Sequence, residues 1–303
     1  MRNQRLDYYA IISAAVQVTI IGLGLIGGSL GLALKRSRWR GAQIVGYTRS
    51  QDSASMALER GAVVSVSPTL QGAVKDGDII IVATPVLTVR DVLRQIAPVV
   101  KHGAILTDTG STKSQVIQWA KELLPPYVNF IGGHPMAGKE ASGIEAADAE
   151  LFQGCVYCLS PEERATRESL NTIEDMVTAI GAVPITIDPE EHDKLVAGIS
   201  HVPMLLSVAL VLATTQNPAW GKMSRLAATG YRDVTRLASG SPEMHADICL
   251  TNKDHIVTWI DTLIAELQKL RLAVSQGDIH IRDILALAKQ ARQKWLEMRS
   301  LGK

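Results

Sequence analysis

At 303 residues the chain is long enough for one large or two medium domains with a substantial core. Its hydrophobic share of 47% and charged share of 20% are those of an ordinary globular protein, and a net charge of +1 excludes a global field aimed at nucleic acid or an anionic membrane. Three cysteines exclude a disulfide framework and fit a reducing, cytoplasmic setting.

Residues 1–15 read as a short N-terminal extension. No charged side chain occurs from Tyr8 to Leu34, and Arg2 and Arg5 precede that run, a pattern shared with membrane spans and signal peptides. The glycines argue otherwise. A β-branched apolar run from Gln17 leads into Gly22-x-Gly24-x-x-Gly27, and a helix-compatible stretch follows from Ser29 to Leu34. In a strand–turn–helix, Gly22 permits the tight turn, Gly24 lets a pyrophosphate approach the backbone, and Gly27 lets the helix pack closely on the sheet. The pyrophosphate then sits at the helix N-terminus, over the amides of Leu25 and Ile26. A dinucleotide site is expected here, and no membrane segment.

Downstream, strands and helices alternate. Ile44–Tyr47 reads as a strand, 53–60 as a helix, and 78–83 as a fully buried strand. A crossover helix over 86–99, a strand over 104–108 and a helix over 113–124 follow. Strands over 128–133, 156–159 and 184–187 flank a helix over 167–180. This repetition predicts an α/β fold of Rossmann type, with a doubly wound parallel sheet occupying residues 16–188. Cys155 and Cys158 form a CxxC within a strand-like run; with no second pair they are read as packing residues, and no metal site is expected.

NAD-selective sites place an acid about 20 residues after the glycines to bind the ribose 2′-hydroxyl. Here the second strand ends in Thr48-Arg49-Ser50. A cation and two hydroxyls suit a 2′-phosphate, which predicts NADP, with NAD as the alternative.

From Glu190 the pattern is helical throughout, with helices expected over 190–213, 219–228, 242–250, 253–276 and 279–299. Residues 189–303 are expected to form an all-helical domain. Ile260, Leu263, Ile264, Leu267, Leu270 and Val274 line one face of its longest helix. So wide an apolar stripe needs a partner surface, and a homodimer is predicted.

Four motifs occur in order: Asp108-Thr-Gly-Ser111-Thr-Lys113, Gly132-Gly-His134-Pro-Met-Ala-Gly138, Ile199-Ser-His201-Val-Pro203 and Gly230-Tyr-Arg232-Asp233-Val-Thr-Arg236. The combination resembles the prephenate and arogenate dehydrogenases of tyrosine biosynthesis, most of all the compact NADP-linked cyanobacterial type. The resemblance runs from Gln17 to about Leu272. It implies hydride transfer from ring C4 of the substrate to a nicotinamide, with loss of the ring carboxylate as CO₂. That chemistry needs an acceptor for the hydroxyl proton, and an imidazole titrates in the right range. By resemblance His134 hydrogen-bonds the C4 hydroxyl, and Ser111 bonds that hydroxyl or His134. Arg236 anchors a substrate carboxylate, beside Asp233 and Arg232; His201 and Glu140 contact the substrate side chain. Thr84 and Pro85 border the cofactor. The implied substrate is arogenate or prephenate. Other Rossmann oxidoreductases lack the Gly-Gly-His-Pro-Met motif, and a non-catalytic NADP-binding sensor need not keep His134, Ser111 and Arg236 together.

Overall fold

The computed structural model describes residues 16–139 and 141–301. The expected N-terminal extension and Glu140 lie outside the described residues.

The N-terminal half builds one eight-stranded sheet in the order β3-β2-β1-β4-β5-β6-β7-β8. Its strands are β1 (Gln17–Ile21), β2 (Gln43–Tyr47), β3 (Ser65–Val66), β4 (Ile79–Val82), β5 (Ile105–Asp108), β6 (Asn129–Pro135), β7 (Val156–Pro161) and β8 (Val183–Thr186). The central strand β4 is buried at every position, which is why its sequence shows no alternation. Helices α1 (Leu25–Ser37), α2 (Gln51–Glu59) and α6 (Arg167–Ala179) cover one face of the sheet; α3 (Leu70–Val74), α4 (Val86–Ile96) and α5 (Ser114–Leu123) cover the other. Leu30, Phe152 and Met176 pack in the first of these layers, and Leu93, Trp119 and Phe130 in the second.

One strand departs from the expected all-parallel sheet. β7 runs antiparallel to β6, with His134 opposite Cys158. A parallel return needs a crossover of a dozen or more residues, usually a helix. Among the described residues between β6 and β7 the helical structure is one 3₁₀ turn, Ile144–Ala146, with no crossover helix to carry the chain back to a parallel start. The reversal moves β8 outward beside β7, to which it is parallel.

From Pro189 the chain is helical: α7 (Pro189–Val196), a π-helical turn (Ala197–His201), α8 (Val202–Thr215), α9 (Trp220–Leu226), α10 (Thr229–Thr235), a 3₁₀ turn (Arg236–Ser239), α11 (Pro242–Thr251), α12 (Lys253–Ser275) and α13 (Ile281–Leu301). The single helix expected over 190–213 is thus interrupted, and α10 with its 3₁₀ extension fills a stretch assigned no helix from sequence. Gly198 lies in the π turn because the Trp259 indole occupies the space a Cβ would take. The combined run Pro189–Thr215 is long and apolar enough to cross a membrane by length and composition alone; its most apolar 18-residue window has a mean hydropathy of 2.2, and a third of that window is buried within the protein. Cys155, Cys158 and Cys249 are all free thiols.

Candidate active site

The glycine loop is shaped by sterics. Gly22 sits at φ +96°, a left-handed backbone disfavoured for other residues, and a Cβ there would strike the Ala83 carbonyl. A Cβ on Gly27 would collide with the Gly22 carbonyl oxygen, whereas one on Gly24 would meet nothing within 4 Å. The backbone therefore stays open at Gly24, which begins α1 without a side-chain cap and without an acidic residue in the first turn. The amides of Leu25, Ile26 and Gly27 are the first-turn donors of that helix.

Gly22, Gly24, Thr48, Arg49, Ser50, Thr84 and Pro85, far apart in sequence, all line one cleft of about 530 Å³ along the carboxyl ends of β1, β2 and β4. A second cleft of about 480 Å³ shares Thr48 and Arg49 and continues between α2 and β3. Thr48 accepts the Ser50 amide at 3.3 Å, and the Ser50 hydroxyl caps α2 by accepting from the Ser53 amide at 3.2 Å. Arg49 is exposed and pairs with no carboxylate among the described residues.

His134 lies at the end of β6, 8% exposed. Its strand is clamped to β5 by a fully buried ion pair: Lys113 Nζ donates to Asp108 Oδ2 at 2.5 Å and to the Gly133 carbonyl at 2.7 Å, while Asp108 Oδ1 accepts the Gly133 amide at 3.0 Å. The ring of His134 meets the helical domain directly. Its Nδ1 is 2.9 Å from His192 Nε2, and His192 Nδ1 is 2.8 Å from Asp193 Oδ1. Asp193 also accepts the amides of Lys113 and Ser114, at 2.7 and 2.9 Å, capping α5. His134 Nε2 has no protein partner among the described residues. Burial, followed by repulsion from His192 when charged and from Lys113, holds the His134 pKa well below the usual imidazole value. Burial also works against ionisation of Asp193, but hydrogen bonds from His192 and the two amides outweigh it and keep this carboxyl below its usual range.

His201 ends the π turn. His192 and His201 would face opposite sides of an uninterrupted α-helix, nine residues being roughly two and a half turns. The π turn, whose hydrogen bonds span one residue more, takes up part of that rotation, so both rings are buried. Asn252 joins them: its Nδ2 donates to the Asp193 carbonyl at 2.8 Å and lies 3.2 Å from His201 Nδ1. His201 Nε2 is buried without a partner. Burial lowers the His201 pKa to about 4, against the opposing pull of Asp193 and of the nearby Ser111 backbone. Ser111, in the loop after β5, is therefore next to His201, while the hydrogen bond made by His134 runs to His192 and not to Ser111. Arg232, Asp233 and Arg236 are exposed on α10 and the turn after it; Arg232 pairs with Asp233 at 3.4 Å. Ser207 of α8 donates to the Val234 carbonyl at 2.6 Å, tying this segment to the helix that follows His201.

Two further contacts dock the helical domain onto the sheet domain around these groups. Asp247 of α11 accepts the Leu87 amide at the start of α4, and Thr251 meets Thr112 at 2.9 Å.

Residues 30–186 match the family model for the nucleotide-binding domain of prephenate dehydrogenase, and residues 188–289 the model for its dimerization domain. The chain is 37% identical over 263 residues to prephenate dehydrogenase of Bacillus subtilis, an alignment covering 86% of this chain and 71% of the relative. The chain belongs to the prephenate dehydrogenase family. Among solved structures, Synechocystis arogenate dehydrogenase is 30% identical with a TM-score of 0.78, covering 92% of this chain and all of the other. Prephenate dehydrogenase of A. aeolicus, in complex with hydroxyphenyl propionate and NAD+, is 27% identical with a TM-score of 0.85, covering 94% and 99%. The protein is thus an oxidoreductase of tyrosine biosynthesis that oxidatively decarboxylates a prephenate-type substrate.

Within this dehydrogenase, sequence reading passed over His192, Asp193, Asn252 and the pairing of Lys113 with Asp108. The sequence carried no shared signal for His192 and His201, because on a regular helix they would face opposite sides; the π turn is what buries both rings.

Proposed function

We propose that this dehydrogenase converts arogenate to tyrosine with NADP as oxidant and works as a cytoplasmic homodimer. The observation that carries the cofactor choice is Arg49: an exposed guanidinium at the end of β2, between two hydroxyls, lining the cleft and matched by no carboxylate among the described residues. Asp52, in the first turn of α2, lines neither cleft. The residues fit a dinucleotide: open backbone at Gly24, uncapped amides at the start of α1, and a cation where a 2′-phosphate would lie. NADP, when bound, supplies the nicotinamide that accepts the hydride from C4.

The protein's own residues handle the proton and the carboxylates. Neutral His134 accepts the C4 hydroxyl proton as the hydride departs and the C4 carbonyl forms. The bond to the ring carboxylate then breaks to release CO₂, its electron pair enters the ring, and the oxygen regains a proton as a phenol. Ser111 and His201 lie together beside this centre, and the buried, unpartnered Nε2 of His201 suits a polar group of the substrate side chain. Arg236 is assigned to the retained carboxylate, with Arg232 and Asp233 as its neighbours in the chain, and Glu140 to the substrate side chain by resemblance.

Support for arogenate is the likeness to the Synechocystis enzyme over nearly the whole chain. Prephenate is the second reading, favoured by the higher identity to the B. subtilis prephenate dehydrogenase. Dimerisation is supported by the match to a dimerization domain and by Ile264, Leu267 and Val274, which a single chain leaves uncovered on α12. The test is reduced-cofactor formation with each substrate crossed against NADP and NAD. Arogenate with NADP is expected to be fastest. Preference for prephenate, or for NAD, overturns the corresponding half of the proposal.

A further inference from the structure

The buried chain His134–His192–Asp193 has a consequence for the tautomer of His134, and it rests on the reading of His134 as proton acceptor. An ionised carboxylate only accepts hydrogen bonds, and Asp193 already takes the amides of Lys113 and Ser114. His192 Nδ1, at 2.8 Å from Asp193 Oδ1, must therefore be the protonated nitrogen of its ring. In a neutral imidazole that leaves Nε2 as a lone-pair acceptor. His134 Nδ1, at 2.9 Å from that atom, must then donate, so its proton sits on Nδ1 and the lone pair on Nε2. We propose that His192 and Asp193 are positioning residues that lock His134 in the one tautomer able to accept the hydroxyl proton.

The geometry suits this role better than simple packing. His192 is 1% exposed, its two ring nitrogens are both engaged, and the rings of His134 and His192 meet edge-to-face with centroids 5.1 Å apart. The carboxylate that sets the tautomer also caps α5, so its position is fixed from both domains. The arrangement also lets charge spread: when His134 becomes an imidazolium, its Nδ1–H donates to a ring already polarised by Asp193, which stabilises the cation without a new partner.

The direct test is the ring ¹⁵N spectrum of the full-length protein labelled at histidine, near pH 7.5, with the His134 signals assigned by their loss in His134→Asn. The expected result is a protonated Nδ1 and a bare Nε2 on His134. A protonated Nε2 overturns the proposal. This readout does not depend on the substrate, so it stands apart from failure of the proposed activity. Kinetics give the second test. His192→Phe removes the acceptor and is expected to lower kcat about 10- to 100-fold, with KM and NADP affinity within about 2-fold, by analogy with other residues that orient a reacting histidine. His192→Gln, whose amide oxygen can still accept from Nδ1, is expected to restore most of the rate. If His192→Phe turns over within about 2-fold of the parent, His192 is only a packing residue.

Discussion

The two halves of the candidate active site are built in opposite ways. The cofactor side is largely local: Gly22, Gly24, Gly27 and the Thr48-Arg49-Ser50 turn fall within about 30 residues, Thr84 and Pro85 join them from the end of β4, and backbone shape forms the glycine loop. The substrate side is assembled from distance: His134 is positioned by Asp108, Lys113, His192 and Asp193, through side-chain contacts that join β5, β6, α5 and α7. A site made of backbone amides can be written as a short motif. One made of converging side chains cannot, because each partner is chosen by the fold.

If this contrast is right, the halves should fail independently. His134→Asn should reduce turnover by about 10²- to 10⁴-fold, the usual contribution of a positioned acid–base group, and leave NADP affinity unchanged; cofactor titration alongside steady-state kinetics checks both. Loss of NADP binding in that variant would show the halves to be coupled. Lys113→Met should destabilise the protein by about 3–5 kcal/mol, because the fully buried Asp108 carboxyl would lose its partner in the β5–β6 clamp. Denaturant unfolding measures it, and a loss under about 1 kcal/mol would make the clamp incidental. The smallest effect is expected at the cofactor side: Thr48→Asp should move the NADP-to-NAD preference by about tenfold toward NAD, through repulsion of the 2′-phosphate, with turnover on the preferred cofactor little altered.

The same contrast explains how much could be read from the sequence. The strand–glycine–helix unit was legible because its requirements are steric and contiguous, as was the apolar β4, buried on both faces. The reversal of β7 was not, since strand direction follows from the missing crossover helix and not from the strand's own residues. The π turn at Ala197–His201 hid inside a continuous apolar pattern, and it reorients His201 relative to His192. In Asp108-Thr-Gly-Ser111-Thr-Lys113 the pattern was visible, but Lys113 read only as the start of a helix; the fold shows it 0% exposed between two strands. His134 and Ser111 were named from their motifs, yet the hydrogen bond from His134 goes to His192, 58 residues away. Thr48, Arg49 and Ser50 all line the cleft, and the Ser50 hydroxyl also caps the start of α2.

The most direct test of the account is the pH dependence of kcat/KM. The base must be neutral to accept a proton, and burial holds the His134 pKa well below 6.5. Activity should therefore stay level as pH falls through 6.5 and decline only in more acid solution, with that acid limb abolished along with the rate in His134→Asn. An acid limb at or above 6.5, or one that survives unchanged in His134→Asn, would contradict the claim that this buried histidine takes the substrate's proton.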